Sequence, residues 1–413
     1  MLQNKIDMLD ALPIATGGYN AVIDGALAAV RDHLGMPIAY LSEFVGERTI
    51  FRNVSAPGLE AVIKPGDSRA LDEVYCRHIL RGDLPELIPD TNAIPLARSL
   101  PITSAAPIGS HVSLPIHRAD GSVYGMFCCL SPVANPTLNE RDMKVMRLFA
   151  GLATEQVRLA QGQANGFEET RTRIRDVLHD RSFDIVYQPI YRLADGMLAS
   201  FEALCRFREQ PYRSPDKWFD DARTSGLQIE LELAVIDAAL FALPGLPQGT
   251  QLSVNASPAT VASGALRPVL MQVDATRVTV EITEHERSED FDRLLRAIRS
   301  IAALGTKIAI DDVGAGYSGL QQIIQIRPDI LKLDMSLVRD IDIDPARRSL
   351  AGALVHFAGE TDARVTAEGI ERQGEWDCLH GLGAHYGQGW LMGRPGSMAQ
   401  APLHFGLRNA AAE

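Results

Sequence analysis

The stretch FDIVYQPIYRLADGMLASFEALCRF, residues 183–207, decides the fold. Two runs of strand character, FDIVYQPI and MLASFEALCRF, are joined only by Tyr191 to Gly196, a link that ends in the turn signal Ala194-Asp195-Gly196. Parallel neighbours need a crossover of about a dozen or more residues, so this link makes an antiparallel hairpin. Downstream the grammar changes. QLSVNAS, RVTVEITE, KIAIDD, ILKLD, RVTAEGI and YGQGWLM are short strands separated for the most part by longer helical stretches. Eight such runs predict a closed α/β (β/α)8 barrel, irregular at its antiparallel first strand.

Upstream the pattern is α+β. Residues 17–35 read as a helix, PIAYLSEF and TIFRNVSAP as strands, and HVSLPIHRADGSVYGMFCCLSP as a hairpin turning at Arg118-Ala119-Asp120-Gly121. From Asn139 to about Ala164 the apolar positions Met143, Met146, Phe149, Leu152 and Val157 keep helical spacing. The polar run Gln161 to Asp180 reads as a solvated helical connector with a stripe at Ile174, Val177 and Leu178. The chain therefore divides into a first domain over 1–165, a connector over 166–180 and a barrel over 181–405.

Composition agrees with this division, since 413 residues exceed what one core usually organises. A formal charge of −12 supplies no global field for nucleic acid or an anionic membrane, so neither is expected as a direct partner. No apolar run approaches the roughly 20 residues of a spanning helix. Five cysteines without metal-type spacing, and no opening signal peptide, lead to the expectation of a cytoplasmic protein. Cys76, with His78 nearby, invites a covalent tetrapyrrole or redox reading, but a single cysteine is ordinarily a small buried hydrophobe. Cys128 and Cys129 alternate faces on a strand, which assigns one to the core and excludes a bond between them.

Reactive groups of a barrel gather at the C-terminal ends of its strands. Here those ends carry Glu202, Asn255, Glu281, Asp311, Asp312, Lys332, Glu368 and Gln388. Any one acid alone would ordinarily be a cap or a salt-bridge partner, and Lys332 alone a partner for Asp334. Taken together, oxygen donors without His or Cys suit Mg²⁺ or Mn²⁺. Asp311 and Asp312 stand side by side in AIDDVGAGYS, where repulsion and desolvation demand compensating cations. Two ions, bridged by Asp311 and with Asp312 on the second, meet that demand, and such pairs about 3.5–4 Å apart serve phosphodiester hydrolysis. Gly314 and Gly316 alone indicate only a flexible turn.

The segments Tyr187-Gln188-Pro189, Glu202-Ala203-Leu204 with Arg206, Asn255 with Ser257, Glu281-Ile282-Thr283-Glu284, DDVGAGYS, Lys332-Leu333-Asp334, Ala367-Glu368-Gly369 with Glu371, Gln388-Gly389 and Gly393-Arg394-Pro395 resemble the EAL family of cyclic-di-GMP phosphodiesterases. The resemblance runs from about Phe183 to Pro395, and the first domain resembles the GAF sensor domain. It implies a barrel with an antiparallel first strand and hydrolysis of cyclic-di-GMP to linear pGpG with two Mg²⁺ or Mn²⁺ ions. It further implies that Glu202, Asn255, Glu281 and Asp311 hold the first ion, and Asp311 and Asp312 the second. Glu368, also counted among the metal-site acids, and Lys332 would position or deprotonate the water. Gln388 would support water or substrate, Arg206 a phosphate, Leu204 the guanine pocket and Gln188 the substrate, while Glu284 and Glu371 would brace loops.

Val313, Ala315 and Gly319 depart from the family's usual Phe, Thr and Ser, and Arg223 replaces an acid, but no ligand is lost. A non-catalytic cyclic-di-GMP receptor signalling through a protein partner is the rival reading. No GGDEF-type motif appears, so synthesis of the dinucleotide is not expected. A small ligand for the first domain and a homodimer complete the expected partners.

Overall fold

A computed structural model of the chain describes residues 19–283, 291–314 and 320–405. It divides into two compact units, residues 1–166 and 167–413.

The first unit is built on an antiparallel sheet of β1 (Ile38–Val45), β2 (Arg48–Ser55), β3 (Ser68–Ala70), β4 (Leu87–Ile88), β5 (Ser110–His117) and β6 (Val123–Ser131), in the order β3-β2-β1-β6-β5-β4. The β5–β6 hairpin turns where the sequence predicts it, with Gly121 at φ 82°. Both faces of the sheet are covered. Ile23, Leu27 and Val30 of the helix Tyr19–Leu34 pack with Met143, Met146 and Val157 over Leu41, Phe127 and Cys129. On the other face Tyr75, Cys76, Ile79 and Ile108 pack against Tyr40, Met126 and Cys128. Cys128 and Cys129 are therefore both core residues, where alternation led to the expectation of one: a sheet buried on both sides takes every strand position inside. Cys76 is a packing residue of the second layer.

The second unit closes eight strands into a barrel. They are β7 (Phe183–Arg192), β8 (Leu198–Phe207), β9 (Gln251–Ala256), β10 (Val278–Thr283), β11 (Lys307–Val313), β12 (Ile330–Leu333), β13 (Arg364–Ala367) and β14 (Tyr386–Gly387). β7 runs antiparallel to both of its neighbours, β8 and β14, and pairs Gln188 with Glu202. The other neighbours are parallel. In β10, Val278, Val280 and Ile282 point out to the helical layer, so Thr279 and Glu281 point inward. The large apolar core lies outside the strands, leaving the barrel interior polar.

The connector is part of one helix, Glu140–Asp180, and its final turns are not a solvated face. Ile174 and Val177 are fully buried against Phe183, Phe207 and Trp218. Residues three and four apart share a helix face, so the stripe at 174, 177 and 178 marks burial against the barrel. Among the described residues no helix is long and apolar enough to cross a membrane.

His111 of β5 is buried, and its Nδ1 has no hydrogen-bond partner among the described residues. Burial pushes its imidazole down to about 3, so the folded ring is neutral. The unfolded ring takes up a proton below its ordinary value of about 6.5. Stability is thus fully present above about pH 6.5 and is lost as pH falls towards 3, by up to about 1.4 kcal/mol per pH unit. Amide protection factors in β5 and β6, corrected for the intrinsic pH dependence of exchange, are expected to fall between about pH 7 and pH 5. His111→Leu is expected to remove most of that dependence.

Candidate active site

The upper end of the barrel brings together side chains from six strands, β7 to β12, and from the residues that directly follow β13 and β14. The β8 alternation sets Glu202, Leu204 and Arg206 on one face. Register then aligns Glu202 with Gln188 of β7, and Glu281 with Asn255 of β9. Glu202 Oε1 accepts from Asn255 Nδ2 at 2.9 Å, and its Oε2 accepts from Gln388 Nε2 at 2.5 Å. The same Gln388 nitrogen lies 3.0 Å from Gln188 Oε1, and Gln188 Nε2 donates to Gly393 O at 3.3 Å. Gln388 reaches this position because β14 lies against the segment after β13. Its N–H donates to Ala367 O at 2.9 Å, and its carbonyl accepts from Ile370 N at 3.0 Å. A side chain on Gly389 would overlap the Ile370 backbone, so this approach requires glycine.

Adjacent residues of a regular strand point to opposite faces, which would separate Asp311 from Asp312. The strand is not regular there. From Ile310 to Val313 β11 advances one residue more than β12, and Asp312 takes φ 57°, a left-handed conformation that aspartate tolerates better than most residues. The Asp312 N–H donates to Asp311 Oδ1 at 2.9 Å. With this bulge, carboxylate oxygens of Asp311, Asp312 and Glu368 lie within 4.8 Å of one another.

Lys332 enters the middle of the cluster and is 1% exposed. Its Nζ contacts Glu281 Oε2, and lies 2.6 Å from Glu368 Oε1, 3.2 Å from Asp311 Oδ1 and 3.8 Å from Glu202 Oε1. Burial lowers the ammonium's proton affinity, but these carboxylates outweigh it and hold the pKa well above the usual lysine range. Asp334 instead caps the next helix by accepting from Ser336 N, so the Lys332–Asp334 pair is not formed. Burial pushes Glu281 up to about 8 against the pull of Lys332, with Glu202 and Asp311 adding to the rise. Glu368 is raised too, chiefly by burial, whereas in Glu202 the Lys332 charge and the Gln388 and Asn255 hydrogen bonds overcome burial and lower it. Four carboxylates thus surround one ammonium, and a fifth, Asp312, lies beside two of them. Hard oxygen donors in excess of positive charge fit a divalent cation. Gln388 Oε1 is buried and without a hydrogen-bond partner among the described residues, an acceptor left over on the side chain whose Nε2 holds Glu202.

Other expected residues lie around this centre. Arg206 donates to the Cys205 carbonyl at 2.8 Å and, like Leu204, is partly exposed. Glu371 stands apart, with its carboxylate 3.6 Å from Arg339. Glu284 lies outside the described residues, as do Ala315 and Gly316. Two buried acids escaped the sequence reading. Glu232 accepts from both the N–H and the hydroxyl of Ser257, fixing the turn after Asn255. Glu375 accepts from the N–H groups of Asp340, Glu371 and Arg372, bracing the loop after Glu368. The legible signal for Glu232 is an acid between Leu231 and Ile236 on the buried face of its helix.

The EAL domain model matches residues 171–395, and the GAF domain model residues 19–157. A probable cyclic di-GMP phosphodiesterase of Escherichia coli is 31% identical over 232 residues, 53% of this chain and 44% of that protein. A cyclic di-GMP phosphodiesterase of Pseudomonas aeruginosa is 28% identical over 351 residues, covering 82% of this chain and 57% of its own. The solved c-di-GMP complex of the PaMucR phosphodiesterase superposes with a TM-score of 0.51 at 26% identity, over 56% of this chain and 99% of that one. The chain spans less than half the length of the first curated relatives it matches, 41%, 29% and 44%.

Lys332→Met leaves the buried carboxylates without their ammonium. With divalent ions chelated, it is expected to destabilise the barrel by about 3–5 kcal/mol. Urea unfolding followed by tryptophan fluorescence reads this directly, because Trp218, Trp376 and Trp390 all lie in the second unit. A loss under about 1 kcal/mol would mean that the ammonium contributes no more than a surface pair.

Proposed function

Because this chain belongs to the EAL domain family, we propose that it hydrolyses one phosphodiester of cyclic-di-GMP to give linear pGpG. In this reading two Mg²⁺ or Mn²⁺ ions are held by Glu202, Asn255, Glu281, Asp311, Asp312 and Glu368. The observation that carries it is the bulge at Asp312, which turns two neighbouring acids and Glu368 towards one point beside the Glu202–Asn255 pair. The relatives named as cyclic di-GMP phosphodiesterases support the same substrate.

When bound, the ions supply Lewis-acid polarisation of the phosphodiester and activation of a water. The chain's own groups orient the reactants and move the proton. Lys332, ringed by carboxylates, keeps its proton and presents a positive charge to the phosphate as negative charge develops there. That leaves proton acceptance to Glu368, whose carboxylate lies 2.6 Å from the Lys332 ammonium and beside Asp311 and Asp312. Gln388 holds Glu202 and Gln188 through its amide nitrogen, while its unpartnered oxygen accepts a hydrogen bond from the water or the ligand. Arg206 contacts a phosphate from the same face as Glu202, Leu204 lines the guanine pocket and Gln188 meets the substrate. The first unit, matched by the GAF domain model, acts as the regulatory module for a small ligand.

Purified full-length protein with Mg²⁺ or Mn²⁺ is expected to convert cyclic-di-GMP to a linear product, followed by chromatography. Glu202→Gln is expected to lower kcat/KM by on the order of a hundredfold or more, since even groups behind a metal ligand cost about 10–100-fold. Activity within a few-fold of the parent would remove Glu202 from the ligand set. Tight binding without turnover by the parent chain would favour the receptor reading.

A further inference from the structure

The barrel has a second mouth, at the N-terminal ends of its parallel strands, where a cavity of about 380 Å³ opens. Layers of bulky branched side chains usually plug this end of a (β/α)8 barrel. Here Ser253, Thr279 and Thr366 are small and bear hydroxyls, and the cavity extends past them as far as Glu281.

Two cations line the opening. Lys307 begins β11 and Arg364 begins β13, on either side of β12. Lys307 Nζ donates to Gln251 Oε1 at 3.1 Å, and Arg364 donates to the Tyr386 hydroxyl at 2.8 Å. Both acceptors are neutral. Among the described residues no carboxylate lies within 4.0 Å of either cation. Arg192, a third cation of the lining, is already neutralised by Asp195 at 2.8 Å. Burial, and then the charge of Arg364, hold the Lys307 ammonium below its usual range, and Asp329, more than 4.0 Å away, offsets only part of this. Like charges facing one cavity are relieved by an anion whose oxygens reach both, and charge-assisted hydrogen bonds of this kind are about twice as strong as neutral ones. Tyr386, whose hydroxyl oxygen accepts from Arg364, keeps its proton free to donate.

We propose that this second mouth is a binding site for a phosphate group, free or as a phosphomonoester, held between Lys307 and Arg364 with the Tyr386 hydroxyl as a further donor. The volume falls in the range of small-molecule pockets, about 300–1,000 Å³, so an ester's organic part has room beside the hydroxyl lining. The two cations begin their strands, at the opposite end of the barrel from the acidic mouth, with Glu281 at the inner limit of the cavity, and the proposal depends on none of the catalytic assignments.

The test is isothermal titration of the full chain with inorganic phosphate and, separately, glycerol 3-phosphate, at matched ionic strength and with divalent ions chelated. Saturable binding is expected, and the tighter of the two probes identifies the source as free phosphate or an ester. Lys307→Gln and Arg364→Gln are each expected to weaken it by about tenfold or more. Lys307→Arg keeps the charge and is expected to retain binding, which separates loss of the site from loss of the fold. Glu202→Gln, at the opposite mouth, leaves the affinity unchanged. Absence of saturable binding for both probes overturns the proposal, as does affinity unchanged from the parent in the two Gln variants, or loss of binding with Lys332→Met but not with Arg364→Gln. Turnover of cyclic-di-GMP, measured in parallel with Mg²⁺, reports on the phosphodiesterase reading independently.

Discussion

The ammonium of Lys332 sets the terms for the upper half of the barrel. It is buried, and a buried charge is tolerated only when paired and hydrogen-bonded. Its partners come from the ends of four different strands, β8, β10, β11 and β13, so satisfying one side chain fixes the mutual register of half the barrel. The pairing is lopsided, because carboxylates gathered around one ammonium repel each other. That repulsion appears as raised pKa values at Glu281 and Glu368, where burial dominates and neighbouring acids add to it. A site arranged this way is short of positive charge by construction, which is the condition under which cation binding is favourable.

Such a centre needs stability from elsewhere, and the strand alternation supplies it. Val278, Val280 and Ile282 of β10, with Leu252 and Val254 of β9, turn their apolar side to the helices and build the main core outside the strands. The inward positions are thereby released from packing and carry Ser, Thr, Glu and Lys. The same choice that permits a carboxylate cluster above permits a hydroxyl-lined cavity below, with Glu281 reached from both sides.

Much of this was legible in the sequence. The hairpin 183–207 was readable because a link of a few residues cannot cross over, and β7 does run antiparallel to β8. The strand-end donors were readable because barrels concentrate chemistry there, and the structure does gather Glu202, Asn255, Glu281, Asp311, Asp312, Lys332, Glu368 and Gln388 at one end. What period-2 alternation conceals is the bulge. Read as a regular strand, β11 sends Asp311 and Asp312 to opposite faces, and only a left-handed residue at 312 reverses this. Alternation also misassigned Cys128 and Cys129, because nothing local to a strand reveals whether its second face is covered. The connector stripe looked solvated for a similar reason: two of its partners, Phe207 and Trp218, lie well beyond it in the chain.

The bracing acids show a further limit of local reading. Glu232 and Glu375 sit on helices, where an acid ordinarily faces water, yet Glu232 turns its carboxylate on the N–H and hydroxyl of Ser257, and Glu375 on three backbone N–H groups of a loop beside the site. In Glu375 those hydrogen bonds outweigh burial and lower the pKa, so the brace is held in its charged form. A carboxylate that accepts several N–H bonds fixes a loop more tightly than a salt bridge, because backbone donors have no rotamers to lose. The clustered acids can therefore remain crowded while the loops beside them stay fixed. The strain of the site is confined to charge, and the backbone that presents it is secured by a second set of carboxylates.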